Sequence, residues 1–327
     1  MAFPSFLPYF IVSPVPRCYD GIQNTAFGGS MIIYQSKGRE YKGNLHLHTS
    51  LSDGRKTPQE AALLYEQAGY DFLAFTDHRS LTLLPEYRGR MVLLSGIELD
   101  WEPNRNELIH LLGIGMGEEL MARLVPGISS QKAIDLIREC GGVCFLAHPH
   151  WSMNRLETIK ALNGLSGVEI FNAVSRPPYN ADRADSTQIL DLLATDGLLL
   201  PTLANDDTHF YEGELFGGFI LAQAESLSAA PILDALENGR FYATQGPRFE
   251  QVLLEGDSVR VTCSPVTHIM YNSNLAWNTG RCTSGEQVTC GEYRLDRAHG
   301  ERFVRIVLED EKGLRAWLNP FSVQGRG

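Results

Sequence analysis

The chain has 327 residues, 43% hydrophobic and 20% charged, an ordinary globular composition that excludes a disordered, collagen-like or highly charged protein. At ~100–200 residues per domain the length suits two domains, or one large one with an appendage, and no apolar run reaches the ~18 residues that cross a bilayer. No membrane partner is expected, and with 28 basic against 39 acidic residues the formal net charge is −11, which argues against non-specific binding to duplex nucleic acid.

Residues 1–30 hold an apolar stretch, Phe6 to Val15, interrupted by Pro8 and Pro14. It has no basic residues ahead of it and no clear small-residue cleavage site, so it does not read as a secretory signal. It also lacks helical and strand period, and we expect residues 1–30 to be a disordered extension. The folded chain is expected to start with the β-like run from Met31. Residues 44–48 read as a short strand. Thr57-Pro58-Gln59-Glu60 then supplies a capping residue, a proline at the first helical position and a glutamate three after the cap. The helix it opens runs to about Ala68. Residues 72–75, 91–99 and 108–114 read as buried strands. Ser129 and Ser130 precede an amphipathic helix over 132–140 that stops at Gly141-Gly142. Strands follow over 143–147, 168–171 and 198–203, with helices over 156–162 and 181–194 between them.

Seven short apolar strands, mostly separated by helices, predict an α/β fold on a parallel sheet, open or closed into a barrel. A last helix covers 228–237. From about Phe249 the pattern changes to β-like segments over 251–254, 259–263, 267–272, 303–308 and 314–317, joined by Gly, Asp, Asn and Ser. The expected organisation is therefore 1–30 as an extension, 31–247 as an α/β domain and 248–327 as a small all-β module. The six cysteines include no C-x-x-C pair and are too sparse for a disulfide framework, so free thiols and a reducing, cytoplasmic compartment are expected.

The chemistry gathers at strand ends. Seven of the nine histidines lie between positions 46 and 209, each at or just after a predicted strand. His46-Leu47-His48 sets two imidazoles on one face, because side chains two apart on a strand point the same way. Asp53 follows in Ser-Asp-Gly. His78 closes Phe75-Thr76-Asp77-His78, and Glu98 closes Ser95-Gly96-Ile97-Glu98. His110 opens His-Leu-Leu-Gly, His148 sits in Leu146-Ala147-His148-Pro149, and Asp207-Thr208-His209 follows the seventh strand. That edge is where parallel α/β folds collect functional groups. Imidazole with carboxylate, and no thiolate, suits zinc, manganese, iron or cobalt rather than calcium or magnesium. Nine such ligands exceed the needs of one ion, so two or three divalent ions are expected.

In this order the motifs His-x-His…Ser-Asp-Gly, Thr-Asp-His, Gly-Ile-Glu, Ala-His-Pro and Asp-x-His resemble the PHP (polymerase and histidinol phosphatase) metallohydrolases, over about residues 42–247. The segment Ala-Leu-Glu-Asn-Gly-Arg-Phe-Tyr-Ala-Thr-Gln-Gly-Pro at 235–247, leading into the β module, is similar to the stand-alone branch that includes carbaryl-hydrolase-type proteins. The resemblance implies a distorted seven-stranded (β/α) barrel with a trinuclear metal site of zinc, manganese or iron. It assigns His46, His48, Glu98 and Asp207 to the first ion. It assigns shared Glu98 with His110 and His148 to the second, and Asp53, His78 and His209 to the third. Some relatives have His in place of Asp53, a difference that bears on metal preference. A complete ligand set argues for retained catalysis.

The expected function is a metal-dependent hydrolase, first of all a phosphoesterase acting on a small phosphorylated molecule, a nucleotide or an oligonucleotide end. A hydroxide bridging the ions, its pKa lowered from 15.7 toward ~7, is the expected nucleophile, with another ion stabilising the developing charge. Hydrolysis of a carboxyl or carbamate ester, or of an amide, is the alternative with the same site; a non-catalytic metal-binding regulatory module is the alternative without chemistry. Among other residues, His150 is a candidate for protonating the leaving group. Arg176, ahead of Arg79 and Arg155, is a candidate for clamping an anionic substrate. Asp77 and Asp206 are candidates for supporting neighbouring ligands. His268 and His299 lack partners at ligand spacing and are expected to be structural. Oligomeric state is left open.

Overall fold

The computed structural model describes residues 30–324 except 37, 84, 85 and 101–105. The expected disordered extension, apart from Ser30, lies outside the described residues. In chain order the elements are β1 (Ser30–Gln35), β2 (Glu40–Asn44), α1 (Pro58–Gln67), β3 (Phe72–Ala74), β4 (Val92–Leu94), β5 (Gly96–Leu99) and β6 (Leu111–Ile114). Then come α2 (Glu119–Arg123), α3 (Ser130–Glu139), β7 (Val143–Leu146), α4 (Leu156–Lys160), β8 (Gly167–Asn172), α5 (Thr187–Thr195) and β9 (Thr202–Asn205). β10 (Phe219–Gln223), α6 (Ala229–Glu237) and β11 (Phe241–Thr244) complete the mixed part. The rest is β12 (Phe249–Glu255), β13 (Ser258–Asn272), β14 (Cys282–Arg294), β15 (Phe303–Glu309), β16 (Arg315–Trp317) and β17 (Phe321–Ser322).

Local chemistry accounts for the helix starts. At α1 the Thr57 hydroxyl accepts from the Glu60 amide at 3.3 Å, while the Thr57 amide donates to the Glu60 carboxylate at 2.8 Å. This reciprocal cap satisfies two donors that a helix start leaves free. Its inward face buries Ala61, Ala62 and Tyr65. Ser129 caps α3 in one direction only, its hydroxyl accepting from the Lys132 amide.

Strand pairing does not close into one barrel. β5 to β9 form a five-stranded sheet in chain order, with β5–β6–β7 antiparallel and β7–β8–β9 parallel. A twelve-stranded sheet runs β1-β12-β13-β15-β16-β11-β10-β2-β3-β4, with β14 added beside β13 and β17 beside β15. The two sheets meet through isolated pairs, Leu47 with Thr208 and His78 with Glu98. The fold is thus mixed α/β in two sheets, rather than the single seven-stranded ring that the resemblance implies. The expected strand over 91–99 divides at Ser95 into β4 and β5, which belong to different sheets.

The β-rich end is continuous with the mixed part. β1, expected to open the α/β domain, pairs antiparallel with β12, Met31 facing Leu254. β16 pairs with β11. Trp317 stacks on Phe171 of β8 at 5.8 Å between ring centroids. Arg305 of β15, fully buried, makes two bonds of 2.7 and 2.8 Å to Asp191 of α5. No helix among the described residues is long and apolar enough to cross a membrane, and Cys140, Cys144, Cys263, Cys282 and Cys290 are free thiols.

Candidate metal centre

One edge of the fold collects the polar side chains. Residues 46–53 follow β2, residues 76–78 follow β3, Glu98 lies in β5, and His148 and residues 206–209 follow β7 and β9. His110 precedes its strand rather than ending one. It reaches the same edge because β6 runs antiparallel to both β5 and β7. Short main-chain bonds lock these segments together: the His48 amide donates to the Thr208 carbonyl at 3.0 Å, and the Asp207 amide to the His46 carbonyl at 2.8 Å. Asp207 and His148 hold positive φ, 52° and 27°, a conformation that costs free energy in non-glycine residues and concentrates at functional sites.

All nine expected ligands come together. Their donor atoms form three groups: His46, His48, Glu98 and Asp207; Glu98, His110 and His148; and His48, Asp53, His78 and His209. In the first, His46 Nε2 and His48 Nε2 each lie 3.0 Å from Asp207 Oδ1, and His48 Nε2 lies 3.1 Å from Glu98 Oε2. In the second, His110 Nδ1 is 2.8 Å and His148 Nε2 3.3 Å from Glu98 Oε1. In the third, His48 Nδ1 and His209 Nε2 each lie 3.6 Å from Asp53 Oδ1, and His78 Nε2 lies 3.8 Å from Asp53 Oδ2. His48 faces two groups with its two nitrogens, where the resemblance implies one.

The donor atoms fit cations. Among the described residues, His46 Nε2, both nitrogens of His48, His78 Nδ1 and Asp207 Oδ1 are buried without a hydrogen-bond partner. They crowd together without aligning as donor and acceptor. Buried polar atoms left this way are costly unless something else satisfies them, and a divalent ion bound by imidazole and carboxylate does so.

Electrostatics tell the same story. Burial alone would push His46 and His48 down. The carboxylates of Asp207, Glu169 and Glu98 overturn this for His46, which is held well above its ordinary 6.5; the adjacent carboxylates of Asp207 and Glu98 raise His48 to about 9. Burial likewise opposes the ionised form of Glu98 and Asp207, but the facing imidazoles hold both well below the usual carboxylate range. Without ions the site keeps its charge balance with protons.

Further residues fix the ligands. His46 Nδ1 meets the fully buried Glu169 at 2.9 Å, which also accepts from the His148 amide and from Asn172 and Asn205. His148 Nδ1 lies 2.8 Å from the Ser152 hydroxyl and His209 Nδ1 2.8 Å from the Asp207 carbonyl. Such contacts fix which ring nitrogen faces the ion. Glu169 escaped sequence reasoning, although a carboxylate inside the otherwise apolar run of β8 is itself a signal.

The other candidates sit elsewhere. His150 turns its ring to the Asp185 carbonyl at 2.8 Å and lines a separate cavity along α5, so the structure does not bring it to the ligands. Arg176 stacks over Phe171 at 5.8 Å, Arg79 is held by Asp100 at 2.6 and 2.8 Å, and Arg155 lies beside Glu107. Asp77 orients no imidazole; it accepts from Thr49, Ser52 and Thr82 and so anchors the turn that carries Asp53. Asp206 points away from the ligands and accepts from Tyr65 and the amides of residues 216–218. Above the ligands, a cavity of about 360 Å³ is walled by Trp151, Tyr179, Asn180 and Phe210. Tyr179 and Phe210 stack at 4.2 Å, and the Trp151 indole donates to Asn180 at 3.0 Å. His268 bonds to Ser284 and His299 to Asp296, both in the β-rich end.

Fold and donor set thus define a mixed α/β protein with a buried cluster of histidines and carboxylates at one edge, of a composition that suits divalent metal. No family model matches the chain. The chain shares its fold with a two-domain protein of Bacteroides vulgatus that contains a predicted PHP-like metal-dependent phosphoesterase, at a TM-score of 0.51 and 15% identity, covering 92% of this chain and 100% of that one. An amidohydrolase of Chromobacterium violaceum, solved with sulfate and no metal, gives a TM-score of 0.42 at 18% identity over 61% of this chain and 96% of that one. An uncharacterised protein of Methanocaldococcus jannaschii is 25% identical over 147 residues, 41% of this chain and 84% of that protein. The shared fold agrees with the α/β class expected from the alternating strands and helices.

Proposed function

We propose that the protein is a metal-dependent hydrolase of PHP type, and that its reaction is the hydrolysis of a small phosphoester or nucleotide. The observation that carries this reading is the convergence of nine imidazoles and carboxylates whose buried donor atoms lack partners. His46, His48, Glu98 and Asp207 would hold one ion, Glu98, His110 and His148 a second, and Asp53, His78, His209 and His48 a third, with zinc, manganese or iron as the metal. Bound ions of this kind supply Lewis acidity and lower the pKa of water to ~7.

The chain's own residues do the rest. Glu98 belongs to two groups and holds them at one spacing. Glu169 accepts from Nδ1–H of His46, which leaves Nε2 free to face an ion. Trp151, Tyr179 and Phe210 exclude water and offer flat apolar faces to a leaving group. Among the described residues no arginine or lysine lines the cavity, so charge on a phosphoryl group would be met by the ions. The same feature favours a second reading, a neutral aryl ester such as a carbamate, as in the carbaryl-hydrolase-type branch. Turnover of an aryl phosphate but not an aryl carbamate by protein loaded with manganese or zinc supports the first reading, and the reverse supports the second. Metal retained with no turnover on a broad panel sinks both.

A further inference from the structure

We propose that Glu214 is the positioning residue of the outer metal group, the one formed by His48, Asp53, His78 and His209; the inference rests on the metal reading above. The loop after β9 carries Asp207 and His209 and then turns sharply. Glu214 is fully buried, and one of its oxygens, Oε1, takes four bonds. It accepts from the Thr208 hydroxyl at 2.6 Å and from the amides of His209 at 2.9 Å, Phe210 at 2.5 Å and Tyr211 at 2.7 Å. Three consecutive amides aimed at one oxygen wrap the backbone around it, and Tyr211 accordingly takes a φ of 61°. Oε2 is buried with no hydrogen-bond partner among the described residues, so the carboxylate is used through a single atom.

What that atom holds is specific. His209 is a donor of the outer group, and Phe210 walls the cavity and stacks on Tyr179. The Tyr211 hydroxyl donates to the His48 carbonyl at 2.6 Å, tying the wrapped loop to the segment after β2 that bears His46 and His48. Glu214 touches no donor atom of the inner groups. It therefore sets where the His209 ring stands without contacting an ion, and such supporting contacts are worth ~10–100-fold in metal affinity.

The test compares Glu214→Gln and Glu214→Asp in the full chain, using metal content by elemental analysis after loading with zinc, and cobalt(II) visible spectra as a second readout. Glutamine keeps a carbonyl oxygen at the Oε1 position, so E214Q should retain the parental content and spectrum. Aspartate withdraws the oxygen by one methylene. E214D should carry one ion fewer per chain, and E214D/H209A should lose no more than H209A alone, as residues of one unit do. The proposal is overturned if E214D keeps the parental content. It is equally overturned if E214D loses every ion or fails to fold, which marks a general fold residue, or if E214Q loses as much as E214D. A parental chain that binds no transition metal instead sinks the metal reading itself.

Discussion

The inner and outer donor groups are built from the same two residue types, yet they differ in how the fold encloses them. His46, His48, Glu98 and His148 are buried, and each is pinned by strands or by main-chain bonds between strand ends. In the outer group, the Asp53 side chain is 55% exposed, His78 22% and His209 19%, and all three ride on loops. Charges held away from water interact more strongly and are screened less by salt. The inner groups should therefore bind ions that stay, and the outer group an ion that exchanges and faces substrate. On this reading the same two residue types in the sequence would serve two different jobs, divided by burial.

The largest expected effect comes from the residue the two inner groups share. Glu98→Gln keeps the shape and removes the charge that sits beside His46, His48, His110 and His148. It should cost both inner ions, and kcat/KM should fall by more than the ~100-fold typical of losing a merely supporting contact. Metal analysis and kinetics on the same preparation check this; a variant as fast as the parent ends the proposed mechanism. Asp53→Asn should cost less. It weakens the outer ion alone, so activity should recover when zinc is added in excess, whereas E98Q should not. If D53N removed all the metal, the distinction between inner and outer groups would be false.

How much of this was legible beforehand follows physical lines. The nine candidate ligands could be read because each sits in a short polar motif in or just beyond an apolar run. The helix starts at Thr57 and Ser129 were legible for the same reason, since capping is local chemistry. Pairing was not. β14 hides because of its 13 residues only Val288, Gly291 and Tyr293 are buried, leaving no clean alternation. The expected strands over 259–263 and 267–272 are one strand, β13, whose register shifts across Pro265. β10 and β11 were missed, and nothing local says that β1 crosses to pair with β12. Glu169 escapes a sequence reading because most of its partners stand in or beside other strands, and Glu214 because nothing local says that residues 208–211 wrap around its side chain. His150 and Arg176 turn elsewhere for a related reason: neither nearness in sequence to His148 nor a place on the loop after β8 decides which way a side chain points.

The smallest expected effect concerns protons and divides the two regions again. In metal-free protein His48 is held up to about 9 by its carboxylate partners, against burial, and His46 and His110 are raised for similar reasons. A raised pKa in the folded state contributes stability that is complete below the ordinary 6.5 and is lost as pH climbs through the folded value. The metal-free protein should therefore melt at a lower temperature at pH 9 than at pH 6.5. Zinc-loaded protein should change less, because ions rather than protons then balance Glu98 and Asp207. In the outer group His78 goes the other way: burial lowers it, so its contribution grows as pH rises through 6.5. Replacing His78 with glutamine should leave the decline in metal-free protein at least as steep, whereas His48→Gln should flatten it. Thermal melts across this range, with chelator and with zinc, decide the matter. A metal-free melting temperature that held level or rose toward pH 9 would mean that the inner carboxylates do not hold their imidazolium partners.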